Sequence, residues 1–392
     1  MGWLDALRGI AALVVVFDHS SYTFMPGLRR ELMPYFNTSR YGIMVFFLVS
    51  GYIIPRSLER RGCVRAFWIG RILRVYPLAA AVVTVLLSLH VLGVAEIRDF
   101  GAHSAAAVAL AHITMLQELL GTPSLLLVLW TLSYEMAFYL MVVALFTIRL
   151  HRRPSAVAIP LALLATASVA AGAVVPPSAL SSLFGTGPVI AVAVIAMVAA
   201  VCCASGRSRP LRTFGGVLGG VLALALVTLN GTVPLWEGLV ILAVMFLGTT
   251  VHRAETGQAT WRFTAATAAF VTTCAVGSAY WYGDGALFTR RGWILAFLLA
   301  LLTFGAGLAV RGRSLPLALT GLGTISYSVY LVHPVLLAVI DATAGRRHED
   351  SPALEAAFVT VLLPLCLLTY RYIETPVQAW GRKLACRKQT LS

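Results

Sequence analysis

An all-α, polytopic transmembrane helical bundle of about 10–12 membrane helices is the fold class this sequence predicts, on three observations. Of 392 residues, 59% are hydrophobic and only 12% charged, against about 25% charged in a soluble domain. The apolar residues gather into runs of about 17–25, the length a helix needs to cross a bilayer. The Lys and Arg residues lie between those runs and divide unevenly between alternate sides.

The runs are bounded by charged residues, Pro and Gly, the usual punctuation of helices. The first, 9–25, lies between Arg8 and Pro26; 41–58 follows Arg40, and 76–94 follows the basic stretch 56–74. Next come 124–148, closed by Arg149, and 156–175, closed by Pro176-Pro177. The middle of the chain holds 187–204, 214–230, 234–250 and 263–282, and the end holds 292–310, 317–340 and 353–372. Twelve spans result. Between the third and fourth, 95–123 forms the longest non-basic loop, with Glu96, Asp99 and Glu118 and a half-apolar stretch, 104–120, suited to an interfacial or re-entrant helix. No secretory cleavage pattern precedes the first run, which is read as a retained helix. No internal repeat or separate soluble domain is evident, so the chain reads as one integral-membrane domain with a short basic tail at 381–392.

With the N-terminus inside, 22 of the 30 Lys and Arg residues fall on the inner side and 8 on the outer. That is a strong positive-inside asymmetry. It accounts for the net charge of +14 better than nucleic-acid binding does, because the basic residues are scattered between apolar runs instead of forming one basic module. Cys63, Cys202, Cys203, Cys274, Cys366 and Cys386 show no CxxC spacing, so neither a disulfide framework nor a zinc site is expected. His90, His103 and His112 match no metal-ligand pattern and read as ordinary loop histidines.

Five polar constellations interrupt the apolar runs. Arg8 and His19 are separated by ten residues. An eleven-residue offset is three helical turns and about 20°, so both project from one face, about 16 Å apart along the axis. Arg8 alone suits a topology anchor that snorkels. An imidazole inside a membrane helix is a functional-site hypothesis by default, with a hydrogen-bonded packing residue as the alternative; its near-neutral pKa suits it to take a proton from a hydroxyl. Asp18 points about 100° away, toward a partner on another helix.

Phe46 to Tyr52 includes Ser50-Gly51, suited either to close helix packing or to lining a substrate cavity. Arg71 and Arg74 lie at i and i+3, two forked donors on one helical face. They suit phosphate oxygens, or plain anchoring at an anionic inner surface. In Trp130 to Tyr139, Glu135 and Tyr139 are one turn apart, as Trp130 and Ser133 are neighbours; a carboxylate in such a span serves a polar cavity or an interhelix bond. Ser326, Tyr330 and His333 form a polar stripe at i, i+4 and i+7, and Pro334 after His333 frees a backbone carbonyl. Packing and function fit this stripe equally.

Together these segments resemble the acyltransferase 3 family of integral-membrane O-acyltransferases. The resemblance rests on Leu4 to His19, Phe46 to Tyr52, Arg71 to Pro77, Trp130 to Tyr139, Ser326 to Pro334 and Tyr372-Ile373-Glu374-Thr375-Pro376, and covers about residues 4–380. It implies transfer of an acyl group from acyl-CoA to a hydroxyl of a sugar, glycan or small natural product such as a macrolide. Acyl-CoA would be a donor substrate; no bound cofactor is implied. By resemblance Arg8 and His19 match the family's Arg-x10-His motif, and Arg71 and Arg74 its Arg-x-x-Arg motif; with these, His19, Arg8 and Glu135 are read as the catalytic candidates, Arg71 and Arg74 as acyl-CoA-binding, and Ser50, Trp130, Ser133, Tyr330 and His333 as lining the cavity. The chain reads as the stand-alone form, without a fused esterase-like domain. Direct transfer and an acyl-His19 intermediate are both compatible with it. The competing class is a multi-pass transporter in which His19, Glu135 and His333 form a proton or substrate pathway.

The charge asymmetry and the even number of spans put both termini in the cytoplasm. Reporter fusions after Ser155 and after Ser392 should read cytoplasmic and one after Gly101 external. An internal reading at Gly101 would reverse the orientation of the basic 56–74 segment.

Overall fold

The computed structural model describes residues 2–101, 103–173, 175–285 and 289–386. In chain order the helices are α1 (Gly2–Phe24), α2 (Pro26–Leu32), α3 (Thr38–Arg61), α4 (Val64–Val91), α5 (Ala105–Thr114) and, after a 3-10 turn at Gln117–Leu120, α6 (Leu129–Thr147). There follow α7 (Ser155–Ala170), α8 (Ala179–Phe184), α9 (Thr186–Ala204), α10 (Arg209–Leu229), α11 (Leu235–Glu255) and α12 (Trp261–Tyr282). The last are α13 (Arg290–Ala309), α14 (Leu317–Thr324), α15 (Ser326–Ala344), α16 (Pro352–Thr369), a π-helical turn at Tyr370–Glu374, and α17 (Thr375–Cys386). No β-strand occurs among the described residues.

Ten helical stretches among the described residues are long and apolar enough to cross a membrane. All twelve spans read from the sequence fall on helices. The two outside the ten are α1, whose 23 residues are interrupted by Asp5, Arg8 and Asp18, and α7, with only 16 residues. Helix α4 begins well before the expected 76, so Arg71 and Arg74 are helical. The span 317–340 is two helices, because α14 ends at Thr324 and α15 starts anew at Ser326, with Ile325 between them. Residues 381–386 of the basic tail are the end of α17; 387–392 lie outside the described residues. The half-apolar stretch 104–120 is helical in α5, capped by Ser104, whose hydroxyl accepts from the Ala107 N–H, and in the 3-10 turn that follows.

Contacts group the chain into two units, one of Met1–Phe46, Trp68–Ile97 and Asp284–Ser392, the other of Phe47–Phe67 and Arg98–Gly283. In the first, α1 is the organising helix, flanked by α13, α14, α15 and α16. It meets α14 at backbone distance: a Cβ at Gly9 would lie 2.8 Å from Leu322 Cβ, and one at Gly323 would overlap the Asp5 carbonyl. That contact explains why α14 stops where it does. Glycine permits the approach to α1 but weakens the helix that carries it.

In the second unit the core is α11, buried continuously from Trp236 to Ala254 and packed by α6, α7, α10 and α12. The later part of α3 presses on it. A Cβ at Gly51 would overlap the Met245 carbonyl, and one at Gly248 would overlap the Leu48 carbonyl, while Thr249 Oγ1 donates to the Gly51 carbonyl at 2.8 Å. Membrane helices associate through such close packing, because lipid supplies no hydrophobic force between them. The packing role expected for Ser50-Gly51 is therefore met at Gly51.

Gly51→Ala should destabilise the protein by about 1–3 kcal/mol through overpacking. Gly305→Ala, on α13 with no atom within 4 Å of the added Cβ, should be neutral or slightly stabilising. Thermal unfolding of the detergent-solubilised protein checks both; equal melting temperatures would contradict the Gly51 contact.

Candidate active site

Helix α1 carries Arg8 and His19 on one unbroken helix. At its C-terminal end, His19 Nδ1 lies 2.8 Å from His333 Nε2 on α15. The ring planes differ by only 14° with centroids 5.1 Å apart, so the imidazoles meet edge to edge along a hydrogen bond. His333 is 0% exposed, whereas 16% of the His19 side-chain surface is accessible; only His19 of the pair can meet a substrate. His333 Nδ1 donates to the Val329 carbonyl at 2.8 Å. Pro334 has no N–H for the Tyr330 carbonyl one turn earlier, and His333 interacts with that carbonyl as well. Tyr330 itself packs edge-on against Phe46, centroids 5.6 Å apart.

The polar groups beside His19 are partnered from several elements. Asp18 Oδ1 accepts from Thr38 Oγ1 at 2.5 Å and from Arg29 at 3.1 Å, and Arg29 also caps the Asp18 carbonyl. The expected partner of Asp18 on another helix is thus Thr38. Its second oxygen stands 4.0 Å from His19 Nε2, within ion-pair range but beyond a hydrogen bond. Ser20 donates to Glu355 at 2.5 Å and Thr23 to Asp341 at 2.7 Å. These bonds fix α1 against α3, α15 and α16.

Toward the other end of α1, Arg8 and Arg74 both interact electrostatically with Glu374, which closes the π-helical turn. Glu374 is 4% exposed and accepts from Ser328 Oγ at 2.5 Å. Arg71 and Arg74 share α4 at the i, i+3 spacing, and the α4 backbone is tied to α15 by Tyr327, whose hydroxyl donates to the Val75 carbonyl at 2.7 Å. Both arginines are half-buried.

Ser50, Trp130, Ser133 and Glu135 belong to the second unit. Glu135 accepts from Tyr139 at 2.8 Å and from Ser50 at 3.4 Å. Ser133, 0% exposed, accepts the Glu118 N–H at 3.3 Å, joining α6 to the 3-10 turn. Trp130 meets Tyr134 edge-on at 5.9 Å. Two of the three histidines read as loop residues lie on helices instead, His90 in the last turn of α4 and His112 in the last turn of α5; His112 uses both ring nitrogens on backbone, the Val108 carbonyl and the Leu125 N–H, and burial holds it below the ordinary histidine range. No grouping of three or more metal-binding side chains occurs among the described residues.

A family model described as an acyltransferase domain matches residues 1–371, which spans every constellation above except Glu374. The chain belongs to the acyltransferase 3 family. With ten span-length helices among its described residues it is a multi-pass membrane acyltransferase of that family. Comparison with curated proteins and with solved structures gives no match. The sequence reading of this acyltransferase quoted Glu374 in its motif but gave it no place in the site. The signal available was a carboxylate directly after an apolar span, a position that demands a partner. Ser328, which donates to Glu374, lies beside the polar stripe but outside its i, i+4, i+7 spacing.

Glu374→Ala should lower stability by about 1–3 kcal/mol, because Ser328 loses its acceptor inside the protein. Glu374→Gln keeps an acceptor for Ser328 without the charge near Arg8 and Arg74, and should lose less. Thermal unfolding of the two variants orders them.

Proposed function

We propose that this acyltransferase moves an acyl group from acyl-CoA to a hydroxyl of a sugar, glycan or small natural product such as a macrolide, with His19 as general base. The observation that carries the reading is the His19–His333 pair: one accessible imidazole, backed by a fully buried one, on the helix that also bears Arg8. His19 accepts the proton of the acceptor hydroxyl. The resulting oxygen nucleophile attacks the thioester carbonyl; the carbon–sulfur bond breaks, and the CoA thiolate recovers the proton from His19. Ester and free thiol are the products, with no other reactant. Asp18, 4.0 Å from Nε2, favours the imidazolium formed in between.

Arg71 and Arg74 suit the donor's phosphates by their fork geometry and neighbouring positions. The rise of α1 puts about 16 Å between the Arg8 level and His19, a gap suited to a donor whose charged end and reactive end are joined by an extended arm. The basic 56–74 segment lies on the inner side in the positive-inside assignment, so the donor enters from the cytoplasm and both termini are cytoplasmic.

Purified protein incubated with labelled acyl-CoA and a panel of hydroxyl acceptors should transfer label, whereas a transporter would not. His19→Ala and His19→Gln should both abolish transfer while inserting normally, since Gln keeps hydrogen bonding but not basicity; full activity in either would refute the base. Arg71→Ala and Arg74→Ala should each raise KM for acyl-CoA by roughly 10–100-fold, about 1.5–3 kcal/mol per charge-assisted contact, with Lys restoring part of it. A raised acceptor KM at constant donor KM would reassign the arginines.

A further inference from the structure

We infer that His333 is a positioning residue that sets the tautomer of His19, so that the basic nitrogen of His19 is Nε2. The inference rests on the reading of His19 as general base and adds which of its two nitrogens does the work. The chain of bonds has one direction. A backbone carbonyl only accepts, so the contact of His333 Nδ1 with the Val329 carbonyl at 2.8 Å requires the proton on Nδ1. The Nε2 of a neutral His333 is then a lone pair. His19 Nδ1, 2.8 Å away, must supply the proton for that hydrogen bond. A neutral His19 with Nδ1–H carries its own lone pair on Nε2.

Burial keeps this relay in place. His333 is 0% exposed, so no water competes for its Nε2, and a charged form there would have to be desolvated. The near-coplanar rings, 14° apart, give the in-plane approach that an imidazole lone pair requires. Val329 belongs to the same helix, one turn before His333, so the anchor is rigid. When Nε2 takes a proton, the Asp18 carboxylate at 4.0 Å faces the new charge. Arg29, bonded to Asp18 Oδ1, and Thr38, bonded to the same oxygen, keep that carboxylate from rotating toward His19 Nδ1. The same logic of an outer hydrogen bond fixing an inner imidazole operates in metal-bound and triad histidines.

The test separates the acceptor from mere packing. His333→Gln places an amide oxygen where Nε2 stood and can still accept from His19; His333→Met fills the space with no comparable acceptor. In assays with labelled acyl-CoA, His333→Met should lose about 100-fold or more in kcat, the scale of a lost acid–base contribution, with KM for acyl-CoA unchanged within about 2-fold. His333→Gln should stay within about 10-fold of wild type in kcat. Nitrogen-15 histidine spectra of the intact wild-type protein, with the His19 signals identified by their loss in His19→Gln, should show Nδ1 protonated and Nε2 bare. A His333→Met enzyme of full kcat, equal losses in Met and Gln, or a His19 spectrum with the proton on Nε2 would overturn the inference. If His19→Gln is inactive while His333→Met is fully active, the relay alone falls; if His19→Gln is active, the general-base reading falls and the relay loses its catalytic role with it.

Discussion

The polar groups of α1 must be satisfied inside the protein, and the first unit is arranged around that requirement. A helix bearing Arg8, Asp18 and His19 has no partners to find in lipid, where each unpaired polar group costs several kcal/mol. The structure answers with donors and acceptors from α2, α3, α15 and α16: Arg29 and Thr38 on Asp18, His333 on His19, Glu355 on Ser20 and Asp341 on Thr23. Each bond fixes a neighbour's rotation about its own axis. The glycine contact between α1 and α14 then brings the two backbones together near the opposite end.

In the proposed mechanism these bonds also keep the base usable. Among the described residues His19 is hydrogen-bonded through one nitrogen, and part of its surface stays accessible. Its partner is wholly buried and its orientation is held by a helix carbonyl. A base held in this way loses little on reaching the reacting geometry, because its orientation is set before substrate arrives. Near Arg8, Glu374 gives Arg8 and Arg74 a shared carboxyl group to interact with, and Ser328 donates to it.

The second unit solves a different problem. Its central helix, α11, is buried on every side, so its neighbours approach through small residues and backbone, as at Gly51 and Gly248. At the end of α11 the buried Arg253 is paired with Glu59 of α3 through two nitrogens, which leaves the charge compensated where it leaves the apolar core. Tyr52, also on α3, donates to Glu255. Glu135 is answered within its own unit by Tyr139 and Ser50.

Local pattern made much of this legible. Run length and charge bias named the fold class and put all twelve apolar runs on helices, ten of which among the described residues are long and apolar enough to cross a membrane, since run length follows from the bilayer's thickness and charge bias acts residue by residue. Helical spacing placed Arg8 with His19, Arg71 with Arg74 and Glu135 with Tyr139, because neighbours on a helix are set by its pitch. The order of the motifs was enough to indicate the family. What the sequence by itself did not contain was pairing across the chain. His19 and His333 are 314 residues apart, Ser20 and Glu355 are 335 apart, and no periodicity links them. The break at Ile325 was equally hidden, because it depends on how closely Gly323 approaches α1. Tertiary packing alone decided which polar residues meet, and hence which nitrogen of His19 is bonded to His333.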